Sequence, residues 1–175
     1  MRIIIDGYNL IRLTELRQYE RVSLEEGRKA LITLLAEYRK NRGHSVTVVF
    51  DGWIDGSFDE ERDRRRGVEI IYSRRGEKAD EVIKRLIEKA GDEITVVTSD
   101  REISTYAAHR GKSAIASPAF AALLKNILSA APAPETKDDL YANEKEDRQG
   151  KTKKKGPSRR LSKQKRMTLA SLKKL

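Results

Sequence analysis

Cysteine is absent from the 175-residue sequence, and histidine occurs only twice, as His44 and His109. The lack of cysteine excludes disulfides, thiolate metal sites and cysteine nucleophiles, and it is typical of a cytosolic protein. No short spacing links the two histidines, which argues against a histidine-rich zinc site. Any metal is therefore expected to have oxygen ligands, which suit Mg²⁺ or Mn²⁺.

Long hydrophobic runs are also lacking. No segment is long enough to span a membrane, and Met1 leads directly into a strand-like stretch rather than a signal peptide. We therefore expect a cytoplasmic protein with no membrane partner. The length suits one ordinary domain with an appendage, whereas the composition leaves the oligomeric state open.

Acidic residues are missing from the C-terminal segment 148–175, which contains 12 of the 37 Lys and Arg residues. The preceding 147 residues contain 25 basic and 27 acidic residues and are nearly neutral. The segment therefore predicts binding to a polyanion, which for a soluble protein is usually a nucleic acid. An anionic membrane surface and a merely solubilising role are the alternatives. Leucines among the cations fit a basic amphipathic helix that forms on a partner.

Apolar runs alternate with amphipathic stretches along the first 130 residues. Continuous apolar strands separated by helices are typical of a parallel sheet covered on both faces. We predict a folded domain over 1–130, a flexible linker over 131–156 and a basic tail over 157–175, with a charged loop at 51–67. The predicted strands are 3–5, 46–50, 68–72, 94–98 and 113–116, and the predicted helices are 24–42, 78–90, 101–110 and 118–128.

Aspartates follow three of the predicted strands. Asp6, Asp51 and Asp100 come directly after or close to strand ends, and Asp80 begins the helix that follows the third strand. Each one alone is explained by a helix cap or a turn. Together they would lie at the carboxyl edge of the sheet, where ligands bind in parallel α/β folds. Several carboxylates at one edge repel one another, and a divalent cation is the usual way to offset that repulsion.

Phosphodiester hydrolysis is the chemistry that suits such a cluster. One or two Mg²⁺ or Mn²⁺ ions would activate water and stabilise the reacting oxygens, so that no side-chain nucleophile is needed. Asn9 would orient a metal-bound water or a carboxylate, or contact the phosphate. A haloacid-dehalogenase phosphatase would require D-x-D-x-T after the first strand, where this chain has D-G-Y-N. A response-regulator domain would require paired acids there and a later lysine, a pattern absent here.

Four stretches together resemble a known family: IIIDGYNLIR, VVFDG, GEKADEVIKRLI and VVTSDREI. They resemble the YacP-like branch of the NYN domains, which are relatives of the PIN-domain nucleases, over about residues 1–128. The resemblance implies a PIN-like three-layer α/β/α sandwich with a central, mainly parallel sheet, here with a basic C-terminal extension. It implies a metal-dependent endoribonuclease, and one branch of the family resembles a messenger-RNA endonuclease associated with the ribosome.

The resemblance also transfers roles to single residues. It implies that Asp6, Asn9, Asp80 and Asp100 are catalytic, with the three aspartates as ligands of Mg²⁺ or Mn²⁺. Asp51 matches a less certain position, where it would support the ligands or be purely structural. The implied partners are RNA, above all messenger RNA, and the ribosome.

Cations must flank such a cluster because carboxylates repel RNA. Arg64, Arg65 and Arg66 interleave with acids, so that solvated charge and RNA contact are equally good interpretations. Tyr8 and Trp53 follow two strand ends, where they would stack on bases or pack on the core. The predicted RNA-binding residues are Arg12, Arg74, Arg75, Lys78, Arg101, Lys153, Lys154, Lys155, Arg159 and Arg160.

A second interpretation stays open on the sequence alone. The chain could be a catalytically weak module that binds RNA or the ribosome on the same fold. The intact set of Asp6, Asn9, Asp80 and Asp100 argues against this alternative, because a pure RNA binder would gain from losing their negative charge.

Overall fold

The computed structural model describes residues 1–52, 58–91, 93–129 and 163–174. The predicted linker, Trp53 and the predicted RNA-binding residues between 153 and 160 lie outside these residues. The elements in chain order are β1 (Arg2–Asp6), α1 (Gly7–Arg12), α2 (Arg17–Glu20), α3 (Leu24–Arg42), β2 (Ser45–Phe50), β3 (Glu61–Arg65), β4 (Val68–Tyr72), α4 (Ala79–Lys89), β5 (Ile94–Val97), α5 (Arg101–His109), β6 (Ser113–Ile115), α6 (Ser117–Ser129) and α7 (Lys163–Lys174).

The strands form one six-stranded sheet in the order β3-β4-β2-β1-β5-β6. All neighbouring strands are parallel except β3, which runs antiparallel to β4. β1 lies inside the sheet, with β2 on one side and β5 on the other. The carboxyl ends of β1 and β5 are therefore neighbours, which is the position where ligands bind in doubly wound sheets.

Successive side chains of β1 enter two different cores, as the alternation of a strand requires. Ile3 and Ile5 pack with residues of α1, α3 and α6 on one face of the sheet. Ile4 packs with residues of α4 and α5 on the other face. All three isoleucines are fully buried. The molecule therefore has three layers, and the predicted α/β/α sandwich with a mainly parallel sheet is confirmed.

The predicted charged loop at 51–67 contains a strand, so the prediction was wrong there. β3 has the sequence ERDRR, pairs with β4 along one edge only and is largely exposed, so no apolar alternation marks it. Arg66 and Gly67 form the two-residue turn between β3 and β4, with φ values of 51° and 82°. Positive φ at both positions is typical of the tight turns that join hairpin strands, and Arg-Gly is a weak sequence signal for it.

The C-terminal helix α7 lies against β6, the strand at the edge of the sheet. The Thr168 hydroxyl donates to the backbone carbonyl of Ala114, and the Ser113 hydroxyl donates to the carbonyl of Met167. The hydroxyls of Ser171 and Ser113 are 2.7 Å apart. The helix predicted to form on a partner is thus present on the chain's own edge strand, where it covers otherwise open backbone groups. No helix in the described part of the chain is long and apolar enough to cross a membrane.

Candidate active site

A hollow of about 800 Å³ opens at the carboxyl edge of the sheet. The four predicted catalytic residues and Asp51 all line it. They come from the ends of strands β1 and β2, from α1, from the first turn of α4 and from the residue before α5. The sequence-based prediction of which acids share one edge therefore agrees with their positions in the structure.

Asp6 ends β1 and caps α1 at the same time. One carboxylate oxygen accepts a hydrogen bond from the backbone N–H of Asn9 at 3.1 Å, and the other accepts from the Thr98 hydroxyl at 3.2 Å. The side chain is only 8% exposed. Burial, with a smaller contribution from the carboxylates of Asp80 and Asp100, raises the pKa of Asp6 from 3.8 to about 6. Asp6 thus carries its charge at neutral pH at a substantial cost.

Packing against Phe50 explains the residue types at Gly7 and Tyr8, the two middle positions of the D-G-Y-N stretch. A Cβ at Gly7 would lie 2.4 Å from the Phe50 ring, so only glycine allows α1 to start directly against β2. Tyr8 is buried and packs edge-on against Phe50, with ring centroids 5.3 Å apart. The packing interpretation of Tyr8 is therefore the one that the structure supports, although its ring also lines the hollow.

The side chain of Asn9 forms hydrogen bonds with two other segments of the site. Its side-chain oxygen accepts hydrogen bonds from the backbone N–H of Ser99 at 2.9 Å and from the Ser117 hydroxyl at 2.7 Å. These bonds connect α1 to the turns that follow β5 and β6. The oxygen is thereby occupied, so only the amide nitrogen of Asn9 remains available to a ligand in the hollow.

Asp100 is held by the helix that it caps. One carboxylate oxygen accepts from the backbone N–H of Glu102 at 2.7 Å and of Ile103 at 3.2 Å. Its own N–H donates to the hydroxyl of Thr98, which also donates to Asp6. Thr98, which is 1% exposed, therefore connects the carboxylate of Asp6 to the backbone of Asp100, a role that the sequence analysis did not assign to it.

Asp80 completes the acidic wall from the first turn of α4. Burial raises its pKa, and the carboxylate of Asp100 is the next largest cause. Lys84 and Lys78 act in the opposite direction. The carboxylates of Asp80 and Asp100 thus add to the rise in the pKa of Asp6, and the carboxylate of Asp100 adds to the rise in the pKa of Asp80.

Asp51 lines the hollow from the residue that follows β2. The hydroxyl of Ser73 lies 3.4 Å from its carboxylate, accepts from the N–H of Gly52 at 2.9 Å and lies 2.7 Å from the carbonyl of Glu77. Asp51 is thus part of a polar turn that joins the ends of β2 and β4. The supporting or purely structural role that the family resemblance implies for Asp51 stays a prediction.

A divalent cation fits the chemistry of this wall, which offers oxygen ligands from three aspartates that repel one another. No three carboxylate or imidazole groups of the described residues converge closely enough to hold an ion by themselves. Mg²⁺ does not require such a cage, since it usually keeps several waters and is held by one or two carboxylates together with substrate phosphates. The residues fit that mode of binding.

Arginines also line the hollow. Arg12, which was predicted, is joined there by Arg28 and Arg65. Arg28 was missed because nothing along α3 distinguishes it from other charged residues of that helix. The predicted cations Arg74, Arg75 and Lys78 line a separate hollow instead, and Arg101 is exposed and lines neither.

The family model of the YacP-like NYN domain matches residues 3–174. This chain belongs to the YacP-like NYN family. The match includes α7, so the family extends well beyond residue 128, where the sequence analysis ended the resemblance. Membership places the chain among the PIN-like nuclease domains.

Two comparisons with known proteins agree with this assignment to the YacP-like NYN family. The protein YacP of Bacillus subtilis (strain 168) is 35% identical over 102 residues, which span 56% of this chain and 59% of that protein. Two crystal structures of Rae1 (YacP) from Bacillus subtilis, one of a mutant, are each 28% identical to this chain, with TM-scores of 0.63 and 0.61. They cover 73% and 74% of this chain, and 77% and 76% of their own chains.

Proposed function

We propose that this protein is a divalent-metal-dependent endoribonuclease. The observation that carries the proposal is the hollow lined by Asp6, Asp80 and Asp100 from three different elements, in which burial and neighbouring carboxylates raise the pKa of Asp6 and of Asp80. Structural carboxylates would be expected to pair with cations, whereas the buried carboxylate of Asp6 has hydrogen bonds but no ion pair among the described residues. Family membership supports a nuclease in particular.

The position of each residue in the hollow suggests a separate role for it in the reaction. Asp6, Asp80 and Asp100 would supply the carboxylate ligands of Mg²⁺ or Mn²⁺, one or two to an ion and together with substrate phosphates. The ion when bound supplies a water of lowered pKa and stabilises charge on the reacting phosphate. Thr98 and the α5 cap fix Asp6 and Asp100, so little reorganisation is needed when substrate arrives. The Asn9 amide nitrogen would donate to a phosphate oxygen or to a ligand carboxylate. Asp51 would support this edge without contacting substrate.

Messenger RNA, with the ribosome as a partner, is the substrate that we propose for this activity. The basic tail would supply additional phosphate contacts through Lys153, Lys154, Lys155, Arg159 and Arg160. Deleting the tail would also remove α7 from the edge of the sheet. A variant with these five cations changed to Gln is therefore the better test, and we expect weaker RNA binding with a shallower dependence on salt.

The decisive experiment measures cleavage of naked messenger RNA and of messenger RNA on translating ribosomes, with Mn²⁺ or Mg²⁺ and with EDTA. We compare the wild type with Asp100→Asn and with Asp59→Asn, which removes an exposed carboxylate outside the hollow. We expect metal-dependent cleavage that Asp100→Asn reduces by about 100-fold or more and that Asp59→Asn retains.

Cleavage of naked RNA would mean a self-sufficient nuclease, and cleavage only on ribosomes would mean one that depends on its partner. Activity that survives Asp100→Asn would contradict the site. No cleavage in either assay would contradict the proposed nuclease activity and would favour the alternative, a catalytically weak module that binds RNA.

A further inference from the structure

Arg28 sits on a platform of three aromatic rings at the rim of the site hollow. Its guanidinium carbon lies 5.5 Å from the centroid of Tyr8, 5.8 Å from Phe50 and 5.5 Å from Tyr72. These rings come from α1 and from the ends of β2 and β4. Aromatic rings from three elements of the fold thus hold one cation in position, whereas a solvated surface arginine needs no such contacts.

The hydrogen bonds of Arg28 to described residues use only two of the five N–H groups of its guanidinium. Nε donates to the Tyr8 hydroxyl at 2.8 Å, and Nη2 donates to the same oxygen. Nη1 has no partner among the described residues, so both of its N–H groups are available. The Tyr8 hydroxyl is a neutral acceptor, which holds the side chain in place without neutralising its charge.

The other two arginines of the hollow differ in this respect. Arg12 pairs with Glu20 at 3.0 Å, and Arg65 pairs with Asp63 at 2.7 Å. Arg28 is half-buried and forms no ion pair with any carboxylate in the described part of the chain. Burying a cation without a counter-ion costs free energy, and a bound anion would recover it.

We infer that Arg28 binds a phosphate of a single-stranded RNA segment next to the carboxylate wall, through the free N–H groups of Nη1. The inference rests on the proposed function for its substrate class. A fixed guanidinium suits phosphate because its planar fork can donate two hydrogen bonds at once, and the aromatic platform has already restricted its rotamers.

The rim of the hollow indicates why the segment is single-stranded. Leu13 and Leu24 line the same hollow and are 49% and 46% exposed. Exposed leucines beside a phosphate-binding arginine offer an apolar contact to an unstacked base. A duplex hides its base faces within its own stack and could not use that contact.

The test measures binding without cleavage, so that it does not depend on nuclease activity. The full chain in EDTA is titrated against a short, fluorescently labelled single-stranded oligoribonucleotide, and the anisotropy is followed over a range of salt concentrations. The variants are Arg28→Gln, Arg28→Lys, Tyr8→Phe and, as the matched control, Arg17→Gln. Arg17 is an exposed cation on α2 that lines neither hollow. The same strand annealed to its complement serves as the competitor.

We expect Arg28→Gln to weaken binding about tenfold and to reduce the log–log salt slope by about 0.7, as expected when one single-strand phosphate contact is lost. Arg28→Lys should keep the slope and recover part of the affinity, because it keeps the charge but not the fork. Tyr8→Phe should weaken binding about twofold, since it loosens the arginine without removing it. Arg17→Gln should bind like the wild type, and the duplex should compete poorly.

Other results would overturn the inference. Arg28→Gln could bind RNA as tightly as the wild type while both Arg28→Gln and Tyr8→Phe lower the melting temperature by the same amount. Arg28 would then only stabilise the packing of the aromatic rings. Equal losses for Arg28→Gln and Arg17→Gln would show general electrostatics only, and effective competition by the duplex would contradict the single-strand assignment. If RNA binding depends on Arg28 but the protein cleaves no RNA, the proposed nuclease activity is contradicted and the role of Arg28 is not. If the protein cleaves RNA and Arg28→Gln cleaves it equally well, only the role of Arg28 is contradicted.

Discussion

The two hollows on either side of the start of α4 contain similar residues and differ in how their charges are paired. The site hollow is lined by both carboxylates and arginines, and Arg28 forms no ion pair within the described part of the chain. In the second hollow, of about 1180 Å³, glutamates lie among the cations. Glu77 pairs with Arg74 at 3.5 Å and with Arg85 at 2.6 Å, and Lys84 pairs with Glu81 at 3.3 Å.

This difference shows that a basic residue near the active edge is not for that reason an RNA contact. Arg74 and Arg75 precede Asp80 by a few residues, and that proximity is why the sequence favours them. In the structure Arg74 pairs with Glu77, whose side chain is 9% exposed and also pairs with Arg85. A cation already paired with a buried carboxylate gains little from a phosphate, because one favourable contact is exchanged for another.

The largest expected effect comes from the acidic wall of the site hollow. Asp6→Asn should reduce cleavage by about 100-fold or more, because a ligand and its charge are lost. In EDTA the same variant should be more stable than the wild type at pH 7 by about 1 to 2 kcal/mol, part of the roughly 3 kcal/mol that its raised pKa represents. Urea denaturation and a cleavage assay on the same preparation check both. A destabilised, active variant would contradict this reading of Asp6.

The dependence of stability on pH sharpens that prediction. The folded protein keeps the Asp6 proton up to a pKa of about 6, whereas the unfolded chain loses it near 3.8. Between these values the folded state binds more protons, so the contribution of Asp6 to the free energy of unfolding falls as the pH rises and stays low above pH 6. We expect the stability difference between Asp6→Asn and the wild type to grow from pH 4 to pH 7 in EDTA. A difference that is constant across this range would mean that the pKa of Asp6 is not raised.

Breaking the pairing in the second hollow should turn it into an anion site. Glu77→Gln keeps the shape of the side chain but leaves Arg74 and Arg85 without this carboxylate. We expect a loss of about 1 to 3 kcal/mol in stability and RNA binding that is about two- to threefold tighter in EDTA. Glu81→Gln, which removes a more exposed partner, is the control and should change neither by as much. Unchanged RNA affinity in Glu77→Gln would mean that ion pairing does not explain why the two hollows differ in RNA binding.

The smallest effect is expected from Arg75 and Lys78, two cations of the second hollow that form no ion pair with the described residues. Arg75→Gln and Lys78→Gln remove exposed charges that are not positioned by aromatic rings, so each should weaken RNA binding less than twofold. Anisotropy titrations beside Arg28→Gln check this ranking. Losses as large as that of Arg28→Gln would place the RNA path across the second hollow and would restore the sequence-based prediction for these residues.

The fold and the acidic wall could be predicted because their signals are local. Apolar runs such as 3–5 and 46–50 can be buried on both faces only in a covered parallel sheet, and the carboxyl ends of such strands share one edge. Asp6 and Asp100 follow from that rule without any knowledge of side-chain contacts. The strand β3 could not be predicted in the same way, because an edge strand paired on one side needs no apolar pattern.

The sequence by itself determined the sheet, the positions of Asp6, Asp80 and Asp100 at its edge, and the family to which the chain belongs. Only the tertiary structure decided which cations accompany them. The three rings beneath Arg28 come from residues 8, 50 and 72, and Arg74, which pairs with Glu77, lines a different hollow. Backbone patterns repeat within one element, whereas charge pairing depends on contacts between elements far apart in the chain, and no local pattern encodes those contacts.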